Sequence, residues 1–206
     1  MTARSAGRAL LVFAHHRPDS LTAQVADRAR ARLEADGFAV DVLDLHREGF
    51  DPRMTTVDEP DWADPGKAYS EEVRAHMRRM AAADVIVVVF PLWWFGLPAV
   101  LKGWVDRVWN HGFAYGRTRL RGKRMLWLGL VSYSRDQFAE LGWDRTVAHV
   151  LSTGISGFCG IDDAPVHFVY DSLTAGETAL AAADAGLDAF LRGAPAGSER
   201  EEAART

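Results

Sequence analysis

Apolar runs alternate with amphipathic patterns along most of this chain. Ala9 to Ala14 is an unbroken apolar run and predicts a buried strand. Ser20 to Asp36 then places Leu21, Val25 and Leu33 on one helical face, with Asp36-Gly37 as the stop. Ala39 to Leu45 predicts a second strand. A long polar stretch follows, His46 to Ala68, with Pro52, Pro60, Pro65 and several acids. Loops of this length in a compact domain are usually functional or disordered. Glu71 to Ala82 reads as a helix, and Val85 to Phe90 as the fully apolar strand expected in the middle of a parallel sheet. Pro98 to Trp109 is a further helix, with Pro98 suited to a first turn. Lys123 to Val131 predicts a fourth strand. Phe138 to Gly157 is mixed but mostly helical, Ala164 to Val169 is a fifth strand, and Thr174 to Leu191 is an Ala-rich helix.

Five strands with intervening helices predict an α/β domain over residues 1–192: a doubly wound parallel sheet of flavodoxin type, order 2-1-3-4-5, with helices on both faces. The small, charged composition from Gly193 to Thr206 predicts a disordered tail. Right-handed crossovers put the β-to-α loops at one edge, and ligands of such sheets bind outside the carboxyl ends of the strands. Attention therefore falls on the loops after strands one, three and four.

Composition narrows the classes. The chain has 206 residues, 48% of them hydrophobic, with a net charge of −4, so nothing electrostatic favours nucleic acid or an anionic membrane. No apolar run approaches the roughly 18 residues that span a bilayer, which predicts a protein that is not integral to a membrane. Met1 to Arg8 is short and polar, unlike a signal peptide. The single cysteine, Cys159, cannot form an internal disulfide and is expected in the core. Cytoplasm is the natural compartment.

The loop after strand one reads His15-His16-Arg17-Pro18-Asp19-Ser20-Leu21-Thr22 and enters a helix directly. Helix N-terminal amides and the Ser20 and Thr22 hydroxyls can hold a phosphate, with charge from His15 or Arg17. The plainer alternative is that Asp19 or Ser20 is only an N-cap. The loop has no glycine, so neither the dinucleotide fingerprint nor the P-loop is present. His15-His16 lacks a third ligand at useful spacing, and no metal site is expected.

The loop after strand three is Phe90-Pro91-Leu92-Trp93-Trp94-Phe95-Gly96-Leu97-Pro98, and eight of the chain's 21 aromatic residues lie between Phe90 and Tyr115. Trp104 recurs at helical spacing with Val100, Leu101, Val105 and Val108 and is expected to be core. Three consecutive aromatics at Trp93 to Phe95 cannot easily all point inward. A planar cofactor would use them as stacking faces, and a subunit interface also favours such residues.

F-P-L-W-W-F-G-L-P-A-V-L-K-G-W-V-D-R-V, followed by G-F-A-Y-G, closely resembles the signature of the NAD(P)H:quinone oxidoreductases, the DT-diaphorase-like group that includes ancillary subunits of potassium efflux systems. The resemblance covers Leu10 to about Phe190. It extends to A-H-x-R-x-x-S-L-T, G-F-x-V-x-x-x-D-L-H (Gly37 to His46) and G-F-C-G-I (Gly157 to Ile161). It implies a homodimer with FAD or FMN, FAD slightly preferred, and NADPH or NADH as donor. By position, His15, Ser20, Leu21 and Thr22 would line the flavin phosphate and ribityl region, and Pro91, Leu92, Trp93, Trp94 and Phe95 would wrap the ring. Phe113 and Tyr115 would lie near the interface and substrate pocket.

The chain departs from the family after strand four. Where many members carry T-T-G-G it has Val131-Ser132-Tyr133-Ser134-Arg135-Asp136, so Ser132 and Tyr133 take the place of a glycine-lined approach to the flavin. Trp143 falls near a histidine position of the family, and tryptophan does no acid–base work. Tyr133 is the one candidate catalytic group. The reaction implied is ping-pong hydride transfer from NAD(P)H, through the flavin, to a quinone-like small molecule. Two other readings are a regulatory subunit docking peripherally on a potassium-efflux transporter, through the His46–Ala68 loop, and an electron-carrier flavodoxin. The mild net charge speaks against the carrier.

Overall fold

The computed structural model describes residues 6–64, 66–116 and 119–193. Five parallel strands form one sheet: β1 (Gly7–Phe13), β2 (Phe38–Asp44), β3 (Val85–Pro91), β4 (Arg124–Leu130) and β5 (Val166–Val169). Their order is β2-β1-β3-β4-β5, as the alternation of runs predicts. β1 pairs with β2 from Gly7 opposite Phe38 and with β3 from Ala9 opposite Val85. All seven residues of β3 are buried, whereas β2, at the edge, buries only Leu43. The expected tail from residue 194 onward lies outside the described residues.

Two apolar layers sandwich the sheet. On one face α1 (Leu21–Ala35) and α6 (Gly176–Arg192) cover Leu11, Val87 and Leu128. On the other, α2 (Glu71–Ala82) and α3 (Ala99–Val108) pack over Leu10, Val88 and Trp127. Trp104 is fully buried there, and Cys159 is buried too. Burial pushes the Cys159 thiol up to about 11. The segment read as mixed resolves into α4 (Arg135–Glu140), α5 (Trp143–His149) and a π-helix (Val150–Gly157). A capping box at Ser134 and Gln137 starts α4 three residues earlier than apolar periodicity alone places it.

Among its described residues the long polar stretch has no helix or strand, yet it is fastened to the domain. Asp58 is fully buried, and the Arg107 Nη2 lies 2.7 Å from its Oδ2. Asp58 also accepts from the Ser70 amide at 2.8 Å and hydroxyl at 3.0 Å. Arg107 donates to the Asp51 carbonyl and reaches Glu72 at 2.8 Å. Burial acts to raise the Asp58 carboxyl, but the hydrogen bonds from Arg107 and Ser70 prevail and hold it below the usual range. The Asn110 amide donates to the Asp58 carbonyl at 2.6 Å, and the Tyr69 hydroxyl to the His111 carbonyl at 2.7 Å. Trp62 is thereby set 5.0 Å from His111 and 5.7 Å from Tyr115, ring to ring.

Candidate functional site at the carboxyl edge of the sheet

The β1 and β3 chains leave the sheet toward opposite faces, because α1 and α3 lie on opposite sides. A crevice must open between their loops. After Ala14, whose amide still bonds the Val89 carbonyl at 3.1 Å, the chain turns at His15. The His15 Nδ1 accepts the Arg17 amide at 3.0 Å, which fixes the tautomer with the proton on Nε2. Arg17 and Asp19 pair at 3.0 Å in solvent. Ser20 is the N-cap, accepting from the Ala23 amide at 3.1 Å. The Gln24 amide closes the first helical turn on the Ser20 carbonyl. Helix geometry leaves the Leu21 and Thr22 amides without intrahelical partners. The capping alternative is thus true of Ser20, and it does not compete with anion binding, since the two use different groups.

From β3, Leu92 extends the pairing with an amide bond to the Leu130 carbonyl at 2.8 Å. Trp93 and Gly96 then close a tight turn through a 3.0 Å bond, with positive φ at both central residues, 50° at Trp94 and 58° at Phe95. This is the φ pattern of a type I′ turn, which normally takes Asn-Gly. The turn separates the three aromatics. Trp93 faces the crevice, Trp94 is 96% exposed, and Phe95 stacks on Trp143 with centroids 4.3 Å apart and planes 14° from parallel.

The crevice is a cavity of about 640 Å³. It brings together His15, Ser20, Leu21, Thr22, Pro91, Leu92, Trp93 and Ser132 from the residues anticipated by sequence. Trp94, Phe95 and Tyr133 stand outside its lining. Phe95 instead borders a 260 Å³ hollow that shares Leu92 with the first and includes Trp143. Tyr133 is half-exposed, 6.0 Å from the Phe95 ring. Tyr115 borders a third hollow of 290 Å³ with Trp62 and Phe158, and Ile155 joins it to the second. Phe113 is partly buried against the core beside it.

Sequence reasoning overlooked His16, Leu130, Ser172 and Leu173, which also line the main cavity. The last two follow β5, and the rule that directs attention to carboxyl-end loops applies to that strand as well. His46 lies close to the site without lining it. Its ring lies 6.2 Å from His16, which stacks on His15 at 4.7 Å. A third imidazole therefore does come near, although among the described residues no three His, Cys, Asp or Glu side chains converge to hold a metal ion. Burial lowers the proton affinity of His15; the hydrogen bond with the Arg17 backbone opposes this, and the charges of the neighbouring imidazoles and of Arg17 add to the lowering.

The donor set suits a flavin. The α1 N-terminus with Ser20 and Thr22 supplies amides and hydroxyls for an anion, Trp93 supplies an aromatic ring, and Leu92 and Leu130 add apolar lining.

A family model described as flavodoxin-like fold matches residues 7–191. The chain is 42% identical over 167 residues to the uncharacterised NAD(P)H oxidoreductase YcaK of Escherichia coli K12, covering 81% of this chain and 85% of that protein. It is 33% identical over 181 residues to the mouse ribosyldihydronicotinamide dehydrogenase [quinone], covering 74% and 77%. The solved NAD(P)H:quinone oxidoreductase of Methanothermobacter marburgensis superposes with a TM-score of 0.81 at 23% identity, over 91% of this chain and 94% of that one. The chain belongs to the flavodoxin-like NAD(P)H:quinone oxidoreductase family. Among the described residues no helix is long and apolar enough to cross a membrane.

Proposed function

We propose that the protein is a flavin-dependent oxidoreductase that takes two electrons from NAD(P)H and delivers them to a quinone-like acceptor in separate half-reactions. The observation that carries this reading is the 640 Å³ cavity, whose lining joins a helix N-terminus with Ser20 and Thr22 to the indole of Trp93. When bound, a flavin supplies the hydride chemistry, which no side chain need perform. The protein's part is placement. The Leu21 and Thr22 amides would hold the phosphate, and the His15 Nε2–H would donate to an anionic oxygen. Trp93 would stack on the ring, and Leu92 and Leu130 would exclude water from it. We assign to Tyr133, whose ring lies 6.0 Å from that of Phe95, the hydrogen bond to an acceptor. Trp143, stacked on Phe95, serves as an apolar wall and exchanges no proton.

We also infer a homodimer. Trp94 is 96% exposed, Trp62 70% and Phe158 56%, aromatic surface of the kind that interfaces bury. Extraction and identification of the bound cofactor tests the reading, together with a Trp93→Ala variant. Loss of one stacking face should weaken flavin binding about two- to tenfold, from roughly 0.5–1.5 kcal/mol of ring contact beyond area burial. A protein that binds neither FAD nor FMN overturns it.

A further inference from the structure

Three imidazoles gather where the β1 loop meets the end of β2. His15 and His16 stack with planes 17° apart, His46 approaches His16 edge-on, and Trp93 touches the first two at 5.7 and 5.9 Å. His15 and His16 line the main cavity, and His46 stands behind His16. The cavity's permanent charges are Arg17 and Asp19, and these pair with each other. A flavin dinucleotide brings a diphosphate dianion. The α1 N-terminus offsets it by only about half a charge. Groups able to gain a proton can offset more of it.

His15 is poorly suited to that task. Its Nδ1 already accepts the Arg17 amide, so a second proton would break this bond. His16 and His46 are both exposed and have no such constraint. The Asp44 carboxylate, which accepts the His46 and Arg47 amides at 3.1 and 3.0 Å, lies beside His46 and favours its cation. The charged and titratable groups facing the cluster are thus Arg17, Asp19, Asp44 and the imidazoles themselves, with Arg47 next along the chain. Burial keeps His46 below its ordinary proton affinity, with Asp44 opposing and His16 assisting, and an anion in the cavity would act in the direction of Asp44.

We propose that His16 and His46 form a proton-gaining subsite for the diphosphate of a flavin dinucleotide, so that cofactor binding takes up a proton. The inference rests on the reading of this cavity as the flavin site. Uptake of one proton makes the dinucleotide bind more tightly as pH falls through the imidazole range.

The test titrates the cofactor-free full chain with FAD and with riboflavin, which lacks the phosphates, at about pH 6 and about pH 8. FAD is the right probe because its diphosphate keeps its charge across that interval. Wild-type protein should bind FAD about tenfold more weakly at the higher pH, and riboflavin equally at both. His16→Gln with His46→Gln, both surface positions, should reduce the FAD ratio to less than about twofold. His16→Arg should bind FAD tightly at both. An FAD ratio unchanged in the double variant, or shared by riboflavin, overturns the subsite while leaving the flavin reading intact. Failure of every flavin to bind at either pH overturns both.

Discussion

Asp58 and Arg107 stand 49 residues apart and meet in the interior with almost no solvent contact. Neither residue type announces such a partner: in the sequence Asp58 is one of several acids in a polar loop, and Arg107 one of several helical cations. Removing one member of a buried pair leaves the other charge uncompensated, at a cost of about 3–5 kcal/mol. Asp58→Asn should lower unfolding free energy by about 3 kcal/mol at neutral pH, as Glu72 still faces Arg107. The folded carboxyl is held below its unfolded value, so the pair's contribution is full above about pH 4 and is lost as pH falls through the folded value. The gap between wild type and variant in denaturant titrations should therefore narrow only in acid. Other residues were plain from the sequence. Trp104 and Cys159 follow from periodicity and composition, whereas the different fates of Trp93, Trp94 and Phe95 depend on a turn that no propensity foretells, since bulky residues rarely take positive φ.

That turn and the loop below it set the chemistry at the scale of elements. Two L-residues in the left-handed region cost roughly 1–2 kcal/mol each, and Trp94, nearly all in solvent, recovers little by packing. Trp94→Gly should leave the melting temperature of the isolated protomer unchanged or higher, because relief of strain outweighs the roughly 0.4–1 kcal/mol of added unfolded-state freedom. A fall of the size that follows loss of a core aromatic, about 3 kcal/mol, would show that the side chain is packed after all. Gly103 makes the converse case. A Cβ there would lie 2.3 Å from the Pro52 carbonyl oxygen, so α3 can hold the 46–69 segment only without a side chain. Gly103→Ala should cost about 1–3 kcal/mol by overpacking and should expose the segment to protease before the rest of the domain opens. Strands and long helices were legible because their apolar periods are strong. The π-helix at Val150–Gly157 and the fastened loop were not, because one rests on an unusual hydrogen-bond register and the other on contacts distant in sequence.

For the molecule as a whole, the strand order was legible from the alternation of runs and the handedness of crossovers, and it places the β1, β3, β4 and β5 loops around one cavity. The cavity's polar and aromatic halves come from β1 and β3, adjacent strands whose chains leave to opposite faces, so the fold itself brings the α1 N-terminus to Trp93. Smaller hollows continue past Leu92 and Ile155 to Tyr115 and Trp62, where exposed aromatics suit a second copy of the chain. The central claim is that this cavity holds a flavin that NAD(P)H reduces by two electrons. Anaerobic titration of the flavin-loaded protein, first with NADPH or NADH and then with a quinone, tests it most directly. The account predicts complete bleaching of the flavin absorbance at one equivalent of reduced nicotinamide per flavin, and full recovery on one equivalent of quinone. Flavin absorbance that stays unchanged under excess NADH and NADPH would contradict it.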